Sequence, residues 1–347
     1  MHDFSLLIRF WYRQNARNLP WRDTNNPYFI WLSEIILQQT RVDQGLNYYN
    51  KFIKHFPTVY ELAKADEETV LNLWQGLGYY SRARNLHFAA QQVLNEFEGV
   101  FPSTYEGVKS LKGVGDYTAA AISSFAYNLP HAVLDGNVFR VLSRYFADET
   151  PIDSVMGKKM FQKYAQELLD QQYPAEHNQA IMEMGALICK PKNPNCQSCV
   201  LNESCLAFRN NNVQSYPVKS KKIKVRNRYF NYLVESDEYF KLEKRTEKGI
   251  WQNMYQFPLY ETTHLIEFDK LADEVGKKFG VRLTQKLAEY KHVLSHQKIH
   301  ATFWSVDHEI VNNEDFVNVK IANVDDYPMP RLVHRFLEDH NPKYGES

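Results

Sequence analysis

Leu111-Lys-Gly-Val-Gly-Asp-Tyr-Thr-Ala-Ala-Ala-Ile122 is the stretch on which the fold reading turns. Gly113 and Gly115 permit a tight turn with open backbone amides, and a helix of small residues is predicted to begin near Asp116 or Tyr117. Amides at a helix N-terminus form an anion site, and glycine lets a phosphate approach closely. The same letters also suit an ordinary glycine-rich turn between two helices, so the surrounding chain has to decide.

Working outward, residues 1–215 read as helices. Apolar residues recur at helical spacing in LLIRFWYRQ (6–14), PYFIWLSEIILQQTRV (27–42), VLNLWQGL (70–77), ARNLHFAAQQVLNEF (83–97), GNVFRVLSRYFA (136–147), KKMFQKYAQELLDQQ (158–172) and NQAIMEMGALIC (178–189). After Val218 the pattern changes to alternation, which predicts strands at Tyr229–Val234, Tyr239–Leu242 and His300–Val306. Helical patterns at 264–279 and 330–339 interrupt them, so this part is α+β or α/β. A chain of 347 residues is long enough for two domains with separate cores. The expected division is a helical domain at 1–215, a basic linker at 216–228 and a second domain at 229–347.

Charge is balanced, 41 basic against 41 acidic residues, so nothing global announces a nucleic-acid partner. Locally, KSKKIKVRNR (219–228) holds six Lys or Arg and no acid, which suits either a solvated linker or a phosphate-tracking strand. No apolar stretch approaches the ~20 residues of a membrane span, and no secretion signal opens the chain. A soluble protein of a reducing compartment, cytoplasmic and without a membrane partner, is the expectation.

All four cysteines fall in CKPKNPNCQSCVLNESC, as Cys189, Cys196, Cys199 and Cys205. Crowding of this kind brings thiolates to one centre at little loop-closure cost. Disulfides would need an oxidising compartment. Zinc also takes four thiolates, usually from two separated short pairs. An iron–sulfur cluster takes four thiolates as well, and the 6-2-5 spacing is similar to the [4Fe–4S] loop of the endonuclease III and MutY group of DNA glycosylases.

Two acids stand out. Glu34 lies in IWLSEIILQQT, where lost solvation raises a carboxyl pKa and suits it to general-acid work. Asp135 precedes the helix of GNVFRVLSR, where the helix dipole favours the ionised form. Each also has a plain structural reading, Asp135 as an N-cap and Glu34 as a capping-turn acid after Ser33. Nothing in the sequence shows that the two meet.

Taken together, these segments resemble the MutY-type adenine DNA glycosylases of the helix-hairpin-helix superfamily, over nearly the whole chain. The residues that carry the resemblance are Leu19 to Arg22, Trp31 to Thr40, Gly76 to Leu86, Leu111 to Ala120, Leu134 to Val138, Asn178-Gln179 and the cysteine loop. It implies a mainly α protein: a two-module helix-hairpin-helix glycosylase fold with one [4Fe–4S] cluster on the four cysteines, followed by an α+β Nudix-like domain. It implies a nucleoid-associated monomer acting on double-stranded DNA that contains 8-oxoG:A or G:A mispairs. Adenine would be flipped out and its N-glycosidic bond hydrolysed. Glu34 would protonate the base and Asp135 would stabilise the cationic sugar, with Tyr117 and Asn137 orienting Asp135 and the sugar. Trp21, Arg22, Leu37 and Gln179 match adenine-pocket positions, Gln39 and Tyr79 match residues that enter the base stack, and Gly113 and Gly115 would hold the DNA backbone.

Two departures sharpen that picture. Endonuclease III-like enzymes carry a Schiff-base lysine where this chain has Tyr117, so an intact abasic site is the expected product. In the second domain, Gly249 to Pro258 resembles the G-x-W…F-P segment of Nudix domains, but the dense acidic box for magnesium is missing. His292-Val-Leu-Ser-His296 resembles the family's loop that meets 8-oxoguanine, through Ser295 and His296, with Leu294 where the family has Phe. A glycosylase for another base, and a non-catalytic iron–sulfur protein that marks lesions, are the alternatives.

Overall fold

The computed structural model describes residues 2–220, 225–235, 238–294, 296–307, 310 and 316–340. Two compact units emerge: residues 1–64 with 88–221, and residues 65–87 with 222–347. Among the described residues no helix is long and apolar enough to cross a membrane.

The chain runs α1 (His2–Asn15), α2 (Pro27–Leu37), α3 (Val42–His55), α4 (Val59–Lys64), α5 (Glu67–Leu73), α6 (Ser81–Glu96), α7 (Tyr105–Ser110), α8 (Asp116–Tyr127), α9 (Gly136–Tyr145), α10 (Val155–Leu168), α11 (Pro174–Leu187) and α12 (Leu206–Arg209). In the first unit α2 is apolar nearly all round, and Ile30, Trp31, Leu32 and Ile36 are fully buried, as such a helix requires. Ala119, Ala120 and Ala121 of α8 have no bulk to hold neighbours apart, and α8 packs against α2, α7 and α11. A second core joins Phe4 and Ile8 of α1 to Val141, Phe161, Ile181 and Met184 from α9, α10 and α11. Each such buried side chain contributes roughly 1.5–3 kcal/mol.

The second unit contains α5, the start of α6 and the C-terminal elements β1 (Arg226–Val234), β2 (Tyr239–Lys244), β3 (Tyr255–Gln256), β4 (Leu259–Thr262), α13 (Phe268–Phe279), β5 (Leu283–Val293), β6 (Gln297–Val306), β7 (Phe316–Lys320) and α14 (Arg331–His340). One sheet has the order β4-β1-β6-β5 with β1 and β6 parallel; the other has the order β3-β2-β7 and is antiparallel. Leu271, Val275 and Phe279 of α13 close over Leu233, Leu283 and Val306. Phe336 of α14 stacks on Phe303 at 4.1 Å. This is an α+β domain.

Three features differ from the sequence reading. Residues 65–87, grouped there with the helical part, pack in the second unit. Strand β1 starts at Arg226, inside the stretch read as linker. Strand β5 went unread because register shifts at Leu283/Gln285 and Lys286/Ala288 break the alternation on which strand patterns depend.

Candidate active site

One cavity of about 690 Å³ opens in the first unit. Glu34, Tyr117, Asp135 and Asn137 line it, and so do Trp21, Arg22, Leu37, Gln39 and Gln179. The structure thus brings together two acids that lie far apart in sequence.

Glu34 projects from the middle of α2 and is 8% exposed. Tyr117, in the first turn of α8, donates its hydroxyl to Glu34 Oε2 at 2.8 Å. Burial lifts the Glu34 carboxyl to about 7; the Tyr117 hydrogen bond opposes this and the Asp135 charge adds to it. The Tyr117 hydroxyl itself is pushed well above its ordinary range by burial and by both acids, so it stays a neutral donor. Here the geometry refines the sequence reading: Tyr117 bonds Glu34, and Asn137 alone of the two bonds Asp135.

Asp135 is the N-cap of α9. Its Oδ1 accepts from Val138 N at 2.7 Å and its Oδ2 from Asn137 Nδ2 at 2.8 Å. The plain N-cap reading and the cavity-lining reading both hold, for the same side chain. Burial raises its carboxyl above the ordinary range, and these hydrogen bonds offset only part of that rise. The dipole argument for an ordinary ionised Asp135 therefore gives the sign of one influence and misses the larger one.

Behind Asp135 the support continues. Asn137 Oδ1 accepts from Arg140 Nη2 at 2.8 Å; Arg140 also donates to the Gly185 carbonyl at 2.8 Å and, through Nε, to the Cys189 carbonyl at 2.6 Å. Helix α11 passes very close here: a Cβ at Gly185 would lie 2.6 Å from Asn137 Cβ.

The sequence reading missed Glu183, which is 1% exposed on α11. Its Oε2 accepts from Arg17 Nη2 and Arg22 Nη2, both at 2.7 Å. Burial works to raise its carboxyl, but the Arg17 and Arg22 hydrogen bonds prevail and bring it down to about 2. Glu183 thereby fixes Arg22 at the cavity wall. Tyr12 donates its hydroxyl to Gln179 Oε1 on the same side. A lone acid in the apolar run AIMEMGALI was the available signal, the same signal that singled out Glu34.

The other expected residues lie outside this cavity. Gly113 has φ 81°, and Gly115 is the N-cap of α8 without a side-chain cap; a Cβ there would meet nothing within 4 Å, so the hairpin is open to a ligand. In the second unit Tyr79 is 46% exposed with φ 49°, and His296 is exposed at the turn between β5 and β6. Ser295 lies outside the described residues.

The four cysteines line a second, smaller cavity together with Arg144. Arg144 Nη1 lies 3.3 Å from Cys189 Sγ and donates to the Lys190 carbonyl at 2.8 Å. Burial pushes the Cys199 thiol up to about 11 and also raises Cys196 and Cys205. Among the described residues no group of three or more His, Cys, Asp or Glu is gathered as tightly as a metal ion requires.

Residues 32–171 match the family model of the HhH-GPD superfamily of base excision DNA repair proteins, and residues 229–339 match that of the NUDIX domain. Over 341 residues the chain is 34% identical to an adenine DNA glycosylase of Buchnera aphidicola, covering 96% of this chain and 95% of that protein. Among solved structures, a thermostable thymine-DNA glycosylase is 27% identical with a TM-score of 0.56, covering 60% of this chain and 96% of that one. An endonuclease III–DNA complex shares the fold at 19% identity, with a TM-score of 0.52 over 60% of this chain and 95% of that one.

Proposed function

The chain belongs to the adenine DNA glycosylase family, and we propose that it removes adenine mispaired with 8-oxoguanine or guanine and leaves an intact abasic site. One observation carries the reading most directly. A buried carboxyl held near 7, that of Glu34, shares a cavity with Asp135, a carboxyl that accepts hydrogen bonds on both oxygens.

An adenine flipped into the cavity meets two acids suited to opposite tasks. Glu34 donates its proton to the base nitrogen N7, so the base departs neutral rather than as an anion. Tyr117 holds the Glu34 carboxyl in place. As the glycosidic bond stretches, positive charge develops on the sugar, and the Asp135 carboxylate stabilises it. Asn137 fixes the direction of that carboxylate. Arg22, Trp21, Leu37 and Gln179 frame the base. Water completes the hydrolysis, because the described residues lining the cavity include no lysine and a phenol at position 117 cannot form an imine.

The hairpin at Gly113 and Gly115 offers open backbone amides to a DNA phosphate and reads no sequence. Gln39 and Tyr79 enter the base stack, and Ser295 and His296 meet the oxidised purine. The four cysteines hold one [4Fe–4S] cluster, for which the donor set fits. Buried thiols with raised pKa values carry little thiolate alone, whereas a cationic iron centre takes them as thiolates, and Arg144 places a further positive charge beside Cys189. Bound there, the cluster would brace the loop 189–205, whose first carbonyl Arg140 ties to Asn137. The protein acts as a monomer on duplex DNA, in the cytoplasm at the nucleoid.

Single-turnover excision on duplexes with A opposite 8-oxoG, A opposite G, A opposite T and thymine glycol tests this function. Cleavage is expected for the first two, with strand breaks only after alkali and no complex trapped by borohydride. Robust release of thymine glycol, or a trapped complex, would overturn the reading.

A further inference from the structure

The Gly249–Pro258 stretch lacks the acidic helix of a pyrophosphatase, and in this chain it holds something else. Residues 65–87 lie in the same compact unit and are gripped from it. The Tyr255 hydroxyl donates to Glu68 Oε1 at 2.8 Å, where Lys244 Nζ also arrives at 2.5 Å. Asn253 Nδ2 donates to Glu67 Oε1 at 2.5 Å, and Arg84 Nη1 donates to the Gln252 carbonyl at 2.8 Å. Asn72 Nδ2 reaches the Asp325 carbonyl at 3.1 Å. The hydrogen bond from Lys244 holds the Glu68 carboxyl below its ordinary range.

Helix α5 connects this grip to Tyr79. Glu67 and Glu68 stand in its first turn, and a helix of this length is a rigid strut of roughly 10 Å. Beyond its last turn, Trp74 Nε1 donates to the Gly78 carbonyl at 3.0 Å, and Arg82 Nη2 reaches the same oxygen at 3.2 Å. The Arg82 guanidinium lies 5.0 Å from the Trp74 ring and 5.8 Å from the Tyr79 ring. His87 Nε2 is 2.9 Å from the Ala65 carbonyl and ties the ends of the segment together. Between the grip and Tyr79 the chain is a helix followed by a caged loop, so the two ends are joined by an unbroken run of contacts.

We propose that this grip sets the position of Tyr79, which makes Glu68 and Lys244 positioning residues for reading the base opposite adenine. The inference rests on the base-stack role given to Tyr79 above. A single exposed ion pair is worth little, but here it is one member of a set converging on one short segment.

The test uses the full chain with Glu68→Lys, Lys244→Glu, their double swap, and Glu68→Gln as the mildest change. Hydrogen–deuterium exchange at residues 74–80 of the free protein reads the grip. The ratio of single-turnover rates on 8-oxoG:A over G:A reads its consequence. Each charge reversal is expected to raise exchange at 74–80 and to cut the ratio about five-fold, the scale of one such ion pair. The G:A rate should stay within about two-fold. Glu68→Gln should give a smaller loss of the same kind, and the double swap should restore both readouts. Unchanged exchange, an unchanged ratio when exchange rises, or a double swap that restores neither would overturn the proposal. If the unaltered protein shows no 8-oxoG preference, the lesion-recognition reading falls, and exchange at 74–80 still decides whether the grip holds the Tyr79 loop.

Discussion

Glu34 in the middle of α2 and Asp135 at the start of α9 carry the same functional group, face one cavity and are supported by different numbers of donors. Mid-helix, every nearby backbone amide is already spent on the helix itself, so Glu34 has one side-chain donor, Tyr117, to set against full burial. At the helix start, unspent amides are available, and Asp135 takes the Val138 N–H together with the Asn137 amide. Both carboxyls are lifted by burial. Asp135 receives more donors than Glu34, and they offset part of its rise, so position along a helix sets how strongly burial is opposed at each acid.

The largest break in that pairing comes from removing one role at a time. Glu34→Gln keeps the shape and loses the proton, and excision should fall about 10²–10⁴-fold while lesion-duplex binding persists. Asp135→Asn retains an N-cap but loses the charge, and should cost about 10²–10³-fold. Single-turnover rates beside binding isotherms check both; near-normal turnover in either variant refutes the role given to that residue. The unaltered enzyme should follow a narrow bell with pH. Glu34 must be protonated, so the rate should drop as pH rises through about 7. Asp135 must be ionised, so the acid limb should lie above the usual aspartate range.

A smaller effect is expected from Glu183→Gln. Removing a buried carboxylate that serves two guanidiniums typically costs about 3–5 kcal/mol, and denaturant unfolding should register a loss near the lower end because the amide still accepts one bond. Adenine excision should weaken as Arg22 loses its anchor. Stability equal to that of the parent would show that Arg17 and Arg22 are held by something else. Cys199→Ser should abolish the brown colour and the iron content of purified protein; a colourless parent containing one zinc would remove the cluster from the scheme.

The smallest change sharpens the comparison most. Tyr117→Phe deletes the one hydrogen bond that opposes burial at Glu34, so the alkaline limb should move to higher pH by about one unit. A limb that moves down, or does not move, would mean that Tyr117 acts elsewhere.

The two acids stood out because each sits in a short run with strong local chemistry, one among large apolar residues and one before a helix. That they meet in one cavity was not legible, and Trp21, Arg22, Leu37 and Gln179 came from the family resemblance alone. Glu183 carried the first of these signals but escaped notice, since its meaning depends on Arg17 and Arg22, far away in sequence. The packing of residues 65–87 was not legible at all. Their helical period says that they form a helix and says nothing about which neighbour takes it, which here is decided by Lys244, Asn253 and Tyr255. Bulged β5 was hidden for a local reason, the broken alternation described above.

Gly185 has a consequence for variation in this chain. With Asn137 Cβ only 2.6 Å from where a methyl group would go, the smallest enlargement must displace either α11 or the residue that aims Asp135. Such a variant would leave both acids chemically intact and still blunt the enzyme. In a survey of tolerated substitutions, position 185 should therefore behave like the acids themselves, although it carries no functional group.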